Sequence, residues 1–304
     1  VKTILSRILR RALRYIDPPP PPLKWRGLED NWTKPVGKKL IIVTGVGRNG
    51  AHWVSKIFGE HENTIGLSDP CSFHTAFFRY CVWNDLPIDS VGTFVLLRAV
   101  LYEAWEEHDV VCIASPYLGI GINIVDRYLQ PDAFILSLRS PEKVVSSMAN
   151  KGWYNEPVVN GGLKPTTGLQ PAFMPQHRQF SRLTPRGSEL ADWQDLTPVG
   201  KCSWYWSALN KRIYAELSEL HQSRFHLYKL ADVDQNPAFN KKLEELFDLT
   251  PINDQQFLNL KKTASNAGRK KSTDDGWTET EKSEFHKGIS EFHETFQSLK
   301  TTVL

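Results

Sequence analysis

Residues that could do chemistry stand out in two places along the 304-residue chain. The first is Gly45-Val-Gly-Arg-Asn-Gly-Ala-His-Trp53. Glycines at 45, 47 and 50 let the backbone turn tightly and present its N–H groups. The helix expected from about residue 49 adds the positive end of its dipole. Together these make a cradle for an anion of phosphate type. The Gly45–Gly50 spacing matches that of a nucleotide phosphate loop, but the next two positions do not. Magnesium-dependent nucleoside-triphosphate chemistry needs Lys and then Ser or Thr there, and this chain has Ala51 and His52. Positive charge sits inside the loop instead, at Arg48. The second place is Leu138-Arg-Ser-Pro-Glu-Lys-Val-Val-Ser-Ser147. Pro141 suits the first turn of a helix. Arg139 is then at a strand end and Ser147 two turns into the helix, where a guanidinium fork and a hydroxyl could meet one phosphate.

These groups need a scaffold that brings strand ends together. Leu40-Ile-Ile-Val-Thr44 is a continuous apolar run of the kind buried in a parallel sheet. Similar runs occupy 110–114, 133–137 and 225–230, with a weaker one at 64–67. Helical patterns lie at 49–59, 90–107, 118–129, 142–150, 202–220, 236–247 and 279–299. This alternation predicts an α/β fold, a parallel sheet flanked by helices in a three-layer sandwich resembling that of the P-loop proteins. Ligands of open α/β sheets bind beyond the carboxyl ends of the strands, which is where both groups fall.

Composition removes several classes. Hydrophobic residues make up 40% and charged residues 23% of the chain, ordinary for a globular protein. A net charge of +3 does not make nucleic acid the default partner. Four cysteines without a CxxC spacing suit buried thiols in a reducing, cytoplasmic setting rather than a zinc site or disulfide framework. No metal is expected. Residues 1–37 form a separate module: a basic amphipathic helix over 1–16, then the polyproline spacer 18–22. That helix either contacts a membrane surface peripherally or packs on its own domain. The main domain is 38–304. Within it, residues 151–200 hold six Pro and six Gly and read as a lid or acceptor loop without regular structure.

The chain resembles the sulfotransferase family, whose members transfer sulfuryl groups from 3′-phosphoadenosine-5′-phosphosulfate (PAPS). Gly47-Arg48-Asn49-Gly50-Ala51-His52-Trp53 is similar to the family's loop, and Arg139, Pro141 and Ser147 to its second signature. Tyr228-Lys-Leu-Ala-Asp-Val-Asp-Gln-Asn-Pro237 is similar to its Tyr-Glu-Asp-Leu segment. Gly268-Arg-Lys-Lys and Gly276-Trp277 resemble its late basic segment, and Trp204-Tyr-Trp-Ser-Ala-Leu-Asn210 its Trp-rich helix. All five occur in the family's order, over about residues 38–299. The loop departs from the family in having Asn49, Ala51 and His52 where Ser and two Thr are usual, and Lys229 stands in place of an acid.

The resemblance implies PAPS as co-substrate, adenosine 3′,5′-bisphosphate as product, and a hydroxyl or amine acceptor of unspecified class. It implies donor binding by residues 47–53 (Gly47, Arg48, Asn49, Gly50, Ala51, His52 and Trp53). Arg139 and Ser147 would hold the 3′-phosphate, helped by Arg269, Lys270 and Lys271, with Tyr228 beside them. Arg48 takes the cation role at the leaving group. Many relatives take their acceptor base from a His at the end of the third strand, but Ile113-Ala-Ser-Pro-Tyr117 has none. Others use a carboxylate after the first helix, where this chain has Asp69 and His74, the leading pair. His52 and His177 come next. Two other readings remain: another P-loop phosphotransferase, and a non-catalytic nucleotide-binding adaptor.

Overall fold

The computed structural model describes residues 32–155, 158–159, 162–163, 180–234, 236–262 and 276–302. The amphipathic segment 1–16, the polyproline spacer, His177, Arg269, Lys270 and Lys271 lie outside them. Five parallel strands form the central sheet: β1 (Lys39–Thr44), β2 (Thr64–Ser68), β3 (Val110–Ala114), β4 (Ala133–Leu138) and β7 (Phe225–Lys229), in the order β2-β3-β1-β4-β7. A separate antiparallel pair is β5 (Val158–Val159) with β6 (Gly162–Leu163).

Alternate side chains of the buried strands enter opposite cores, as a period of two requires. Leu40 and Ile42 join one, and Ile41 and Val43 the other. The first core receives α3 (Ser90–Glu107), α4 (Ile122–Leu129), α5 (Pro141–Ala149), α7 (Pro198–Ser218) and α11 (Glu279–Ser298). The second receives α1 (Ala51–Phe58), α9 (Pro237–Phe247) and α10 (Asp254–Lys262). The result is the expected three-layer α/β sandwich. The short helices α6 (Glu189–Gln194) and α8 (Leu230–Val233) complete the chain, together with α2 (Ser72–Trp83).

Three features differ from the sequence reading. Helices α2 and α10 occupy stretches with no helix expected. The 151–200 segment is not uniformly a lid: Tyr154, Leu183 and Trp193 are buried in the first core, and α6 and the start of α7 fall inside it. Large apolar rings draw that part of the chain into the body, offsetting the local Pro and Gly preference for loops. The five strands of the main sheet fall on the expected apolar runs, β2 included. Among the described residues no helix is long and apolar enough to cross a membrane.

The topology creates one crevice. The connection from β1 leads through α1 toward β2 on one side, and the connection from β4 leads toward β7 on the other. Adjacent strands whose connections diverge leave a gap at their carboxyl ends, the usual ligand position in such sheets. Val43 of β1 pairs with Ile135 of β4 and with Ala114 of β3, so the loops after all three strands open on one edge.

Candidate functional site

The loop after β1 is built by conformations that L residues seldom adopt. Gly45, Gly47 and Gly50 have positive φ, and so does Arg48, at 57°. Gly45 is obligatory for a further reason: a Cβ there would come within 1.9 Å of Asn49 Nδ2 and 2.6 Å of the Ser137 carbonyl oxygen. Asn49 uses that clearance. It is 2% exposed, its Nδ2 donates to the Ser137 carbonyl at 2.8 Å, and Ser137 Oγ donates to its own carbonyl at 2.9 Å. The amide thus bolts the loop to β4, an arrangement that the shorter Ser side chain cannot reproduce. Asn49→Ala removes a buried donor and leaves the Ser137 carbonyl without it. Chemical denaturation is expected to report a loss of about 1–3 kcal/mol, the scale for an unsatisfied buried group; a loss below about 0.5 kcal/mol would mean that the bolt is dispensable.

The bolt sets Arg48 across the crevice. Its Nε donates to Ser147 Oγ on α5 at 2.9 Å, and its carbonyl accepts from Arg139 Nη1 at 2.9 Å. The Arg139 carbonyl in turn accepts from the buried Trp206 indole of α7 at 3.3 Å. Arg48, Arg139 and Ser147 therefore meet at the ends of β1 and β4. Burial, and after it the Arg139 charge, pull the Arg48 guanidinium below its ordinary pKa range. Burial likewise lowers Arg139, while Asp234 pushes it the other way. Two crowded, partly dehydrated guanidiniums and a hydroxyl make a strong oxyanion site.

Three other positions of the implied donor site, Ala51 and Trp53 in α1 and Tyr228 in β7, are packed into the protein body. Ala51 is packed in the second core, so no lysine is accommodated where a magnesium-dependent nucleotidase would place one. Trp53 stacks on Phe239 with centroids 5.9 Å apart and packs on Phe257. Tyr228 is fully buried at the end of β7, its ring tilted against Phe239 at 5.3 Å. Burial pushes its phenol well above the ordinary range.

The second chemical group begins in the first turn of α1. His52 Nε2 stands 3.0 Å from Asp69 Oδ2 at the end of β2. Asp69 continues the β2–β3 ladder by donating its N–H to the Ala114 carbonyl at 2.9 Å, then turns with φ of 49°. Its second oxygen, Oδ1, is buried without a hydrogen-bond partner. What brings helix and strand close enough is Gly66. A Cβ there would sit 1.6 Å from the Ser55 carbonyl oxygen, so only glycine lets α1 lie this near β2. Ser55 and Ser68 hydroxyls meet across the same seam at 3.2 Å.

His74 is not Asp69's partner. It sits in the first turn of α2 with its ring edge-on to Phe73 at 5.4 Å. The histidine that the structure sets against Asp69 is His52, a consequence of helix-on-strand packing that no local pattern encodes. Two arginines, Arg79 and Arg182, were not singled out by sequence. Arg79 is almost wholly buried on α2, a helix whose pattern did not declare itself. Among the described residues no cluster of three or more His, Cys, Asp or Glu is arranged to hold a metal ion.

Comparison with solved structures finds, among others, three sulfotransferase structures. A sulfotransferase domain from the curacin biosynthetic pathway is 12% identical, with 71% of this chain and 76% of that one covered at a TM-score of 0.45. A sulfotransferase domain from the Synechococcus PCC 7002 olefin synthase is 13% identical over 89% and 92%, at 0.44. A sulfotransferase from Mycobacterium avium is 13% identical over 88% and 79%, at 0.49. All three are sulfotransferases. No protein-family model and no curated protein matches the chain.

Proposed function

We propose that this protein is a sulfotransferase that moves a sulfuryl group from PAPS to an acceptor hydroxyl. The observation that carries the reading is the convergence of Arg48, Arg139 and Ser147 in the β1/β4 crevice, beside the His52–Asp69 pair. The donor fits these residues. Glycine turns and the α1 N-terminus suit its 5′-phosphosulfate. Arg139 and Ser147 suit the 3′-phosphate.

In the step itself the acceptor oxygen attacks sulfur in line. An S–O bond forms to the acceptor, the S–O bond to the 5′-phosphate breaks, and adenosine 3′,5′-bisphosphate leaves with the electron pair. Arg48 neutralises the charge that grows on the bridging oxygen. Asp69 accepts from His52 Nε2–H, which leaves Nδ1 bare to take the acceptor proton. His52 thus moves from the donor-contact role implied by its loop position to that of the base, with Asp69 orienting it.

The test is incubation with PAPS and a panel of alcohols, phenols and amines in the presence of EDTA. Mass spectrometry should find products heavier by one SO3 unit, with adenosine 3′,5′-bisphosphate in equal amount. Transfer from ATP and magnesium instead, or loss of activity in EDTA, overturns the reading. The donor pocket has its own check. Arg139→Ala and Ser147→Ala should each weaken adenosine 3′,5′-bisphosphate by ~10-fold or more, the scale of a lost charge-assisted hydrogen bond. Adenosine 5′-phosphate, lacking the 3′ group, should be weakened far less. Equal losses for both nucleotides, read by calorimetry, would detach these residues from the 3′-phosphate.

A further inference from the structure

Beyond the end of β3 lies a second positively charged site, made of residues given neither to the donor nor to the base. Arg79, 1% exposed, donates to the Pro116 carbonyl at 3.2 Å, to Tyr205 Oη at 2.9 Å and to the Ser181 carbonyl at 3.0 Å. Its guanidinium lies over the Tyr117 ring, 4.8 Å from the centroid. Its Nε is buried without a hydrogen-bond partner. Arg182 comes next, 3.4 Å above the Trp153 ring centroid, with Nη1 donating to Ser181 Oγ at 3.0 Å. Unlike Arg79 it retains some exposure. Tyr154 and Tyr205 complete the walls, each within ring contact of Trp153.

Every one of these partners is neutral. Among the described residues, no carboxylate stands within ion-pair distance of Arg79 or Arg182. Taking two cations out of water costs several kcal/mol per ion, and carbonyls and ring faces offset only part of it. Burial lowers the Arg182 pKa, and nearby phenols and a thiol push it back only partly. The described residues thus leave this positive charge without a carboxylate partner, which an arriving anion would supply.

Its position gives that anion a role. Pro116, which accepts from Arg79, faces the phosphate loop: a Cβ on Gly47 would lie 3.9 Å from Pro116 Cβ. Asp69, at the neighbouring strand end, donates its N–H to the Ala114 carbonyl at 2.9 Å, two residues before Pro116. We propose that Arg182, backed by Arg79, anchors an anionic group on the acceptor, so that the substrate is a carboxylate-bearing or similarly charged molecule with a flat apolar body. Trp153, half-buried beside Arg182, takes the flat body, with the buried Tyr117 and Tyr205 rings behind it, and the hydroxyl is presented toward His52. This assignment rests on the sulfuryl-transfer reading for the name acceptor, but not for the binding of the anion.

The test compares para-hydroxyphenylacetate with its neutral isostere para-hydroxyphenylacetamide by calorimetry. The wild-type protein should bind the carboxylate ~10-fold or more tightly than the amide, as expected for a hydrogen-bonded charge. Arg182→Met should erase that preference while leaving amide affinity unchanged, which also shows that the variant is folded. Arg182→Lys should keep part of it, and Arg139→Ala all of it, since the donor arginines are a different site. Equal binding of the two probes by the wild-type protein, no carboxylate binding, or a preference that survives Arg182→Met or disappears in Arg139→Ala would overturn the proposal. Adenosine 3′,5′-bisphosphate is titrated into the same proteins. If it fails to bind while the carboxylate preference still follows Arg182, the donor reading falls and the anion site stands. If it binds while the probes are not distinguished, the reverse holds.

Discussion

Arg48→Ala is expected to lower turnover by about 100-fold or more, in line with loss of one preorganised oxyanion donor. The charge that builds on the bridging oxygen during sulfuryl transfer has to be met by groups already in place. The Arg48 guanidinium is fixed by its bond to Ser147 and by the carbonyl contact that Arg139 makes with its backbone. An alanine at residue 48 takes up the same left-handed φ with no more steric cost than arginine, so the fold is retained and the chemistry is what changes. The measurement is steady-state kinetics with the donor varied. Turnover should fall with little change in donor KM, the pattern of an interaction made chiefly in the transition state. Arg48→Lys should recover part of the rate, since a point charge replaces the fork but not its second N–H direction. Turnover within about threefold of wild type in Arg48→Ala would remove Arg48 from the leaving-group role, because a single preorganised donor is normally worth far more.

The His52–Asp69 pair carries the other large effect. His52→Ala should cut turnover by about 100-fold or more, the scale of a general base, while adenosine 3′,5′-bisphosphate affinity is unchanged. Asp69→Asn should also be slow, since an amide can present N–H to Nε2 and favour the tautomer with the proton on Nδ1, where the acceptor needs a bare nitrogen. Chemical rescue separates a base from a structural ring. His52 is 40% exposed on its side chain, so added imidazole has access to the space left by His52→Ala and should restore rate in proportion to its unprotonated concentration. His74→Ala, on α2 against Phe73, should stay near wild type. A His52→Ala enzyme of normal rate, or one slowed but insensitive to imidazole, would end the assignment.

How much of this was legible in the sequence follows from the range over which each feature is determined. Strands β1, β3 and β4 declared themselves because a strand buried on both faces needs an unbroken apolar run, as at 40–43, whereas the edge strand β2 is only partly buried and gave a weaker one. Arg139 and Ser147 declared themselves because a strand end followed by Pro141 fixes a helix start, and hence the spacing from guanidinium to hydroxyl. Helix α2 did not. In Phe73-His-Thr-Ala-Phe-Phe-Arg79 the exposed positions include Phe73 and Phe77 while Arg79 is buried, an inversion of the apolar-inside pattern that periodicity reads. Helix α10 was hidden for the opposite reason: Asp254-Gln-Gln-Phe-Leu-Asn-Leu260 is mostly polar, yet it inserts Phe257 and Leu260 into the second core. The pairing of His52 with Asp69 depends on how closely a helix settles on a strand, which is decided by packing and not by neighbours in sequence.

Gly66 governs that settling, and it has a use for the experimenter. It carries no functional group and belongs to neither the phosphate cradle nor the base, yet the separation of α1 from β2 is limited at this one point by contact with the Ser55 carbonyl. Adding a single methyl group there would act as a wedge, forcing apart the helix that bears the imidazole and the strand that bears the carboxylate. Arg139 and Ser147, on the far side of the crevice, would keep their places. The chain thus offers a way to detune proton transfer by degrees through backbone spacing alone, with every reactive side chain still present.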